Sequence, residues 1–127
     1  MGYAAFMRFA AGDLALLDST PEIELETSKP GGPIHRTIIW VVVDGEEVFV
    51  RSVRGARGRW YQEVVANPQV RIHVAGAVLP ATAQAADDPA SIARSSDAFS
   101  RKYRGVSGLG PMLVPDVLDT TLRLTPG

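Results

Sequence analysis

Residues 36–53 constrain the fold more tightly than any other stretch. Arg36 to Val43 is β-branched or aromatic almost throughout (Thr37, Ile38, Ile39, Trp40, Val41, Val42, Val43). Asp44-Gly45 follows, a strong two-residue hairpin signal, and Glu46 to Val53 returns as a second strand. So apolar a run reads as a central strand covered on both faces, and the pair as the core hairpin of the fold. The 12 Gly and 9 Pro supply turns for many short strands and argue against a helical bundle. At 127 residues the chain is expected to form a single domain over 1–127, with room for one core but not for separate cofactor and substrate domains.

The remaining elements fit that frame. Phe6, Phe9, Ala10, Leu14 and Leu17 lie close to a helical stripe, giving an N-terminal helical segment over 1–18. Gly12-Asp13 is expected to interrupt it, with Asp13 capping a second short helix. Glu22 to Thr27 alternates as a half-buried strand, and Ser28 to Pro33, with two Pro and two Gly, is a loop. A glycine loop at 54–58 leads to a helix from Arg59 that Asn67-Pro68 stops. Gln69 to Ala75 and Ala77 to Ala85 are strands, the second an edge or bulged strand because of Pro80. Asp88-Pro89 caps and opens a helix that Gly105 ends. An irregular apolar loop over 106–115 precedes a last strand, Thr121 to Thr125. Six strands in hairpin-like pairs imply a mainly β, α+β chain, a small antiparallel barrel with short peripheral helices.

Composition narrows the chemistry. With no cysteine there are no disulfides, thiolate zinc sites or cysteine nucleophiles. His35 and His73 stand too far apart for a local metal motif, so no metal is expected. A net charge of −1 argues against a nucleic-acid binder. No apolar run approaches a membrane span and no leader precedes the first strand, so the expected location is cytoplasmic, with no membrane partner.

One cluster rises above this background. Arg51, Arg54, Arg57 and Arg59 stand in nine residues, and no acid occurs between Glu47 and Glu63. The segment joins a strand end, a glycine loop and a helix N-terminus, where free N–H groups and the helix dipole favour an anion. Glycines admit a phosphate close to the backbone, and arginine grips it in two-point geometry. Arg36 and Thr37 follow another Gly-rich loop and are candidates for a second phosphate-binding lobe. Trp60 and Tyr61 read as core packing or as an aromatic wall beside a planar ring, and Trp40 reads as core. His73 reads as structural, and His35 as a weak candidate for anion contact. Glu22, Glu24 and Glu26 line one strand face with no base or metal set beside them, so they read as a solvated outer face. Gly105 to Gly110 matches neither nucleotide-binding nor serine-hydrolase glycine patterns and reads as a loop over a pocket.

The chain resembles the flavin-binding split-barrel superfamily, which includes pyridoxamine-phosphate-oxidase-like and deazaflavin-dependent oxidoreductases. Within it the resemblance is to a small family of unknown function related to deazaflavin-dependent nitroreductases. Ile23 to Thr27, Arg36 to Val43, Asp44-Gly45, Val48 to Gly55 and Gly58 to Tyr61 carry it, continued by Lys102-Tyr103, Pro111-Met112 and Thr120 to Leu124. The resemblance implies a six-stranded antiparallel split β-barrel that forms a homodimer with cofactor sites at the subunit interface. It implies that Arg36, Thr37, Arg51, Ser52, Val53, Arg54, Gly55, Arg59, Trp60 and Tyr61 bind the cofactor, while no catalytic residue is named. The activity implied is hydride transfer to or from a small organic substrate, with FMN or a deazaflavin as cofactor. Only one lysine stands in the Ser28–His35 loop, where deazaflavin-using relatives carry more basic residues, so FMN, deazaflavin and no cofactor stay open. The alternative is a non-redox split barrel that binds a phosphorylated or aromatic ligand.

Overall fold

The computed structural model describes residues 7–127. In chain order the elements are α1 (Ala11–Ser19), β1 (Ile23–Thr27), β2 (His35–Ile39), β3 (Val42–Asp44), β4 (Glu47–Val50), α2 (Arg59–Ala66), β5 (Gln69–Val74), β6 (Ala77–Ala85), α3 (Pro89–Lys102), α4 (Pro115–Leu118) and β7 (Leu122–Pro126). Single 3-10 turns at Gly55–Arg57 and Gly110–Met112 precede α2 and α4. The seven strands form one antiparallel sheet in the order β2-β1-β5-β6-β7-β4-β3.

That order corrects the central-strand expectation for 36–43. The run is broken at Trp40-Val41, and its halves are the two opposite edges of the sheet. From Ile39 to Val42 the chain can reach at most about 10 Å, so the sheet must curl to bring the ends of its two edge strands together. The barrel is thus closed by a bend in the chain instead of a hydrogen-bonded ladder, and the strand count is seven because one expected strand is two. As an edge, β2 is wet on one face, which leaves Ile38 62% exposed. The hairpin at Asp44-Gly45 is present but short, pairing Val42 with Phe49, Val43 with Val48 and Asp44 with Glu47.

Alternation explains how the curled sheet fills. Ile23 and Leu25 of β1, Val48 and Val50 of β4, Val70, Ile72 and Val74 of β5, and Leu122 and Leu124 of β7 point inward with Trp60 and Val64 of α2. Each such fully buried aliphatic side chain contributes about 1.5–3 kcal/mol. The opposite faces of β3 and β4 give Val42 and Phe49 to a second cluster under α3, with Ala98, Phe99, Tyr103 and Met112. Asp88 caps α3 by accepting from the Ser91 N–H, and Pro89 opens it.

Three further expectations are corrected. Gly12-Asp13 does not break a helix but forms the first turn of α1, and residues 7–10 are not helical; Phe6 and residues 1–5 lie outside the described residues. β6 is neither edge nor bulged but an interior strand, paired on both sides. Pro80 is tolerated because its carbonyl accepts from Gly127 on the side where β7 runs out, so its missing N–H removes no bond to β5. On β1, Glu24 and Glu26 do not stand alone in solvent: Glu24 pairs with Arg36 at 2.6 Å, and Glu26 with His73 at 2.8 Å.

Candidate functional site

The chain leaves β4 at Val50 and turns inward. The Ser52 N–H donates to Thr120 Oγ1, and the Ser52 hydroxyl donates to the Gly55 carbonyl, which pins the glycine turn. Gly55 has φ +65, and a Cβ there would meet the Asp116 carbonyl at 3.1 Å. A Cβ on Gly58 would lie 2.5 Å from Ser52 Oγ, so a side chain there must push that hydroxyl aside. Gly58 is the N-cap of α2, and no side chain caps that helix. The first intrahelical bond runs from Gln62 to Gly58, which leaves the N–H groups of Arg59, Trp60 and Tyr61 without helical partners.

Two of these residues, Arg59 and Trp60, line a cavity of about 590 Å³, within the range of small-molecule sites. Thr37 to Trp40 form one wall, Arg51 to Arg54 and Gly58 to Trp60 another, and Gly108 and Met112 reach in from the loop after α3, with Glu22 also in the lining. Trp40 stacks flat on Tyr103, ring centroids 3.8 Å apart and planes 5° apart. The Tyr103 hydroxyl donates to the Pro21 carbonyl at 2.7 Å, and burial pushes its pKa up to about 12. Lys102 Nζ donates to the carbonyls of Leu17 and Val41, and burial pushes its pKa down to about 8. Together these two side chains fix the bend that presents Trp40 to the cavity.

Behind the α2 wall sits a buried carboxylate. Glu63 accepts from Thr27 Oγ1 at 2.6 Å, His35 Nδ1 at 2.8 Å and Arg59 Nη1 at 3.2 Å. Burial pushes the carboxyl up, but the bonds from Thr27, His35 and Arg59 outweigh it and hold it below its ordinary value. Arg59 also donates to Thr37 Oγ1, tying α2 to β2 across the cavity edge.

The structure brings Thr37, Arg51, Ser52, Val53, Arg54, Arg59 and Trp60 together in this lining. Arg36, Gly55 and Tyr61 are not in it. Arg36 points to the outer face and its ion pair with Glu24, Gly55 shapes the turn, and Tyr61 packs edge-on against Trp60. Arg51 does not present its guanidinium to solvent: it is 1% exposed, and all five of its N–H groups are taken by the protein. Arg54 is exposed and has no hydrogen-bond or ion-pair partner among the described residues. Trp40, expected in the core, is a half-buried cavity wall. Glu63 escaped the sequence reading, although its i,i+4 spacing from Arg59 was a signal. Among the described residues no three His, Cys, Asp or Glu side chains gather to hold a metal ion, and no helix is long and apolar enough to cross a membrane.

Against this geometry, comparison with solved structures finds the PNPOx-like split-barrel fold. A conserved hypothetical protein, Rv2991 from Mycobacterium tuberculosis, is 16% identical with a TM-score of 0.68, covering 98% of this chain and 83% of that one. A putative pyridoxamine 5'-phosphate oxidase from Listeria innocua is 18% identical with a TM-score of 0.65, over 91% and 90% of the two chains. An F420 reductase is 19% identical with a TM-score of 0.62, over 94% and 96%. No curated protein matches the chain by sequence. The model of the uncharacterized protein family conserved in bacteria, DUF2255, matches residues 13–124, and the chain belongs to that family.

Proposed function

We propose that this member of DUF2255 is a flavin- or deazaflavin-dependent oxidoreductase that passes hydride to or from a small organic substrate. One observation carries the reading: a single cavity combines an uncapped helix N-terminus, a free arginine and an aromatic wall. The N–H groups of Arg59 and Trp60 hold the cofactor phosphate, with the Arg54 and Arg59 side chains adding charge-assisted bonds. The planar ring lies against Trp40, Trp60 and Met112, whose apolar surfaces keep water from it. The residues present fit such a group, since no side chain caps the start of α2 and the exposed Arg54 and Arg59 stand beside it in the cavity lining. The bound ring supplies the hydride chemistry, while the chain binds its tail, orients it and shields it. Likeness to an F420 reductase supports the deazaflavin branch of this reading.

The site works in a homodimer. Ile38 and Val53, 62% and 54% exposed, stand in the cavity lining, and burying them against a second copy closes the site. The loop over 106–115 borders the substrate's side through Gly108 and Met112.

Titrating the purified protein with FMN, and separately with a deazaflavin, reads the site through quenching of Trp40 and Trp60. Saturable quenching at micromolar concentration, followed by reduction of an added acceptor, is expected. Absence of saturable quenching by both refutes the assignment. One observation favours a second reading, a non-redox binding module. His35 and His73 are both engaged by carboxylates, and Glu22 is the one acid in the cavity lining among the described residues. That reading predicts tight binding without turnover.

A further inference from the structure

Arg51 carries a buried positive charge that the described protein does not balance. Its Nε donates to Thr121 Oγ1 at 2.9 Å. Nη1 donates to the Met112 carbonyl at 2.8 Å and Ser96 Oγ at 3.2 Å, and Nη2 to Ser95 Oγ at 2.7 Å and the Ile92 carbonyl at 3.4 Å. The Phe99 ring lies 5.1 Å from the guanidinium carbon. Every donor is satisfied, yet every acceptor is a neutral hydroxyl or carbonyl. Five such bonds staple the end of β4 to α3, Met112 and the start of β7, but they do not neutralise a charge taken out of water.

Arg123 shows what this chain does when a buried arginine is purely structural. It is 9% exposed and donates to the Glu47 carboxylate at 2.7 Å, and Arg94 shares that carboxylate. No carboxylate stands beside Arg51, and burial alone pushes its pKa down to about 10. The difference between the two arginines is location: Arg51 is part of the cavity lining, whereas Arg123 is not.

We propose that the missing negative charge arrives with the ligand, so that the cavity takes a planar aromatic anion whose charge lies on its Arg51–Met112 side. The proposal rests on the cavity being the ligand site and adds the ligand's charge to that reading. It is separate from the phosphate subsite at α2, because Arg51 has no N–H left to grip a phosphate. Its charge acts through space across a low-dielectric wall, which favours a charged ligand over its neutral counterpart on the order of tenfold.

The test uses two fluorescent probes with the same rings, 8-anilinonaphthalene-1-sulfonate and the neutral N-phenyl-1-naphthylamine. Both are titrated into folded wild-type protein, Arg51→Gln, Arg51→Lys and the double variant Arg54→Gln/Arg59→Gln. The wild type is expected to prefer the sulfonate. Arg51→Gln should lose about tenfold in sulfonate affinity and nothing for the neutral probe. Arg51→Lys, which keeps the charge, should retain most of the preference, and the double variant should keep a residual one. Equal weakening of both probes in Arg51→Gln makes Arg51 a staple only and overturns the proposal, as does failure of both probes to bind. If Arg51→Gln does not fold, the double variant decides: no remaining preference overturns the proposal, and a remaining one supports it. Failure of FMN and deazaflavin to bind removes the redox reading but leaves this comparison of probes intact.

Discussion

Replacing Glu63 with glutamine should destabilise the protein by an amount the structure lets one work out. The carboxylate is 4% exposed and accepts at 2.6 Å from Thr27, itself 2% exposed. That charge-assisted bond is worth about 1.5–3 kcal/mol. The Arg59 pair, whose arginine side chain is 50% exposed, adds only about 0.2–1 kcal/mol. Glutamine keeps one acceptor but turns an N–H toward groups that already donate, so part of the His35 bond is lost as well. The sum is about 2–4 kcal/mol, or roughly 8–16 °C in Tm for a chain of this size. Urea unfolding of both proteins at pH 7 reads the difference. Its sign with pH is also fixed. Because the folded carboxyl titrates below its ordinary value of 4.5, its contribution is complete above that pH and is lost as pH falls through the folded value. The gap between wild type and Glu63→Gln should therefore close in acid. A loss below about 1 kcal/mol at pH 7, or a gap unchanged from pH 7 to pH 3, would refute the reasoning.

Three other perturbations separate binding from folding. Arg54→Ala removes an exposed side chain with no partner among the described residues, so Tm should stay put while FMN affinity falls about tenfold, read by titration. Gly58→Ala drives a Cβ to within 2.5 Å of Ser52 Oγ and should cost about 1–3 kcal/mol in urea unfolding, with phosphate-dependent binding lost. Lys102→Met should be more harmful in alkali. The folded amine, lowered to about 8 by burial, binds fewer protons than the unfolded one between there and 10.5, so wild-type stability gains with pH across that window and the variant lacks the gain. Thermal melts of both proteins at pH 7.5 and 10 check the sign.

Much of the fold was legible because alternation and turn chemistry are local. β1, β5 and β6 follow their apolar periods, Asp88-Pro89 caps α3, and Asp44-Gly45 makes its hairpin. What failed was the reading of Arg36 to Val43 as one central strand. A continuous β-branched run looks alike whether buried on both faces or split at a bend, and only tertiary closure decides that Ile38 is wet and Val41 is dry. The cluster from Arg51 to Arg59 was visible as charge, but charge carries no direction. The side chains diverge in space: Arg51 turns into the core under α3, Arg54 stays free at the cavity, and Arg59 leans on Glu63. Trp40 joined the site because the same bend that splits the strand swings its ring onto Tyr103 and into the cavity wall.

The central claim is that the α2 end of the cavity holds the phosphate of a planar cofactor. Its most direct test is the ratio of affinities for FMN and riboflavin, which differ only in that phosphate, measured by tryptophan quenching in wild type and in Arg54→Ala/Arg59→Ala. The account predicts that FMN binds more tightly than riboflavin to the wild type and that the double variant shrinks the difference to the part supplied by the backbone N–H groups of α2. Equal affinity of the wild type for both flavins, or a preference for FMN that the double substitution leaves undiminished, would contradict it.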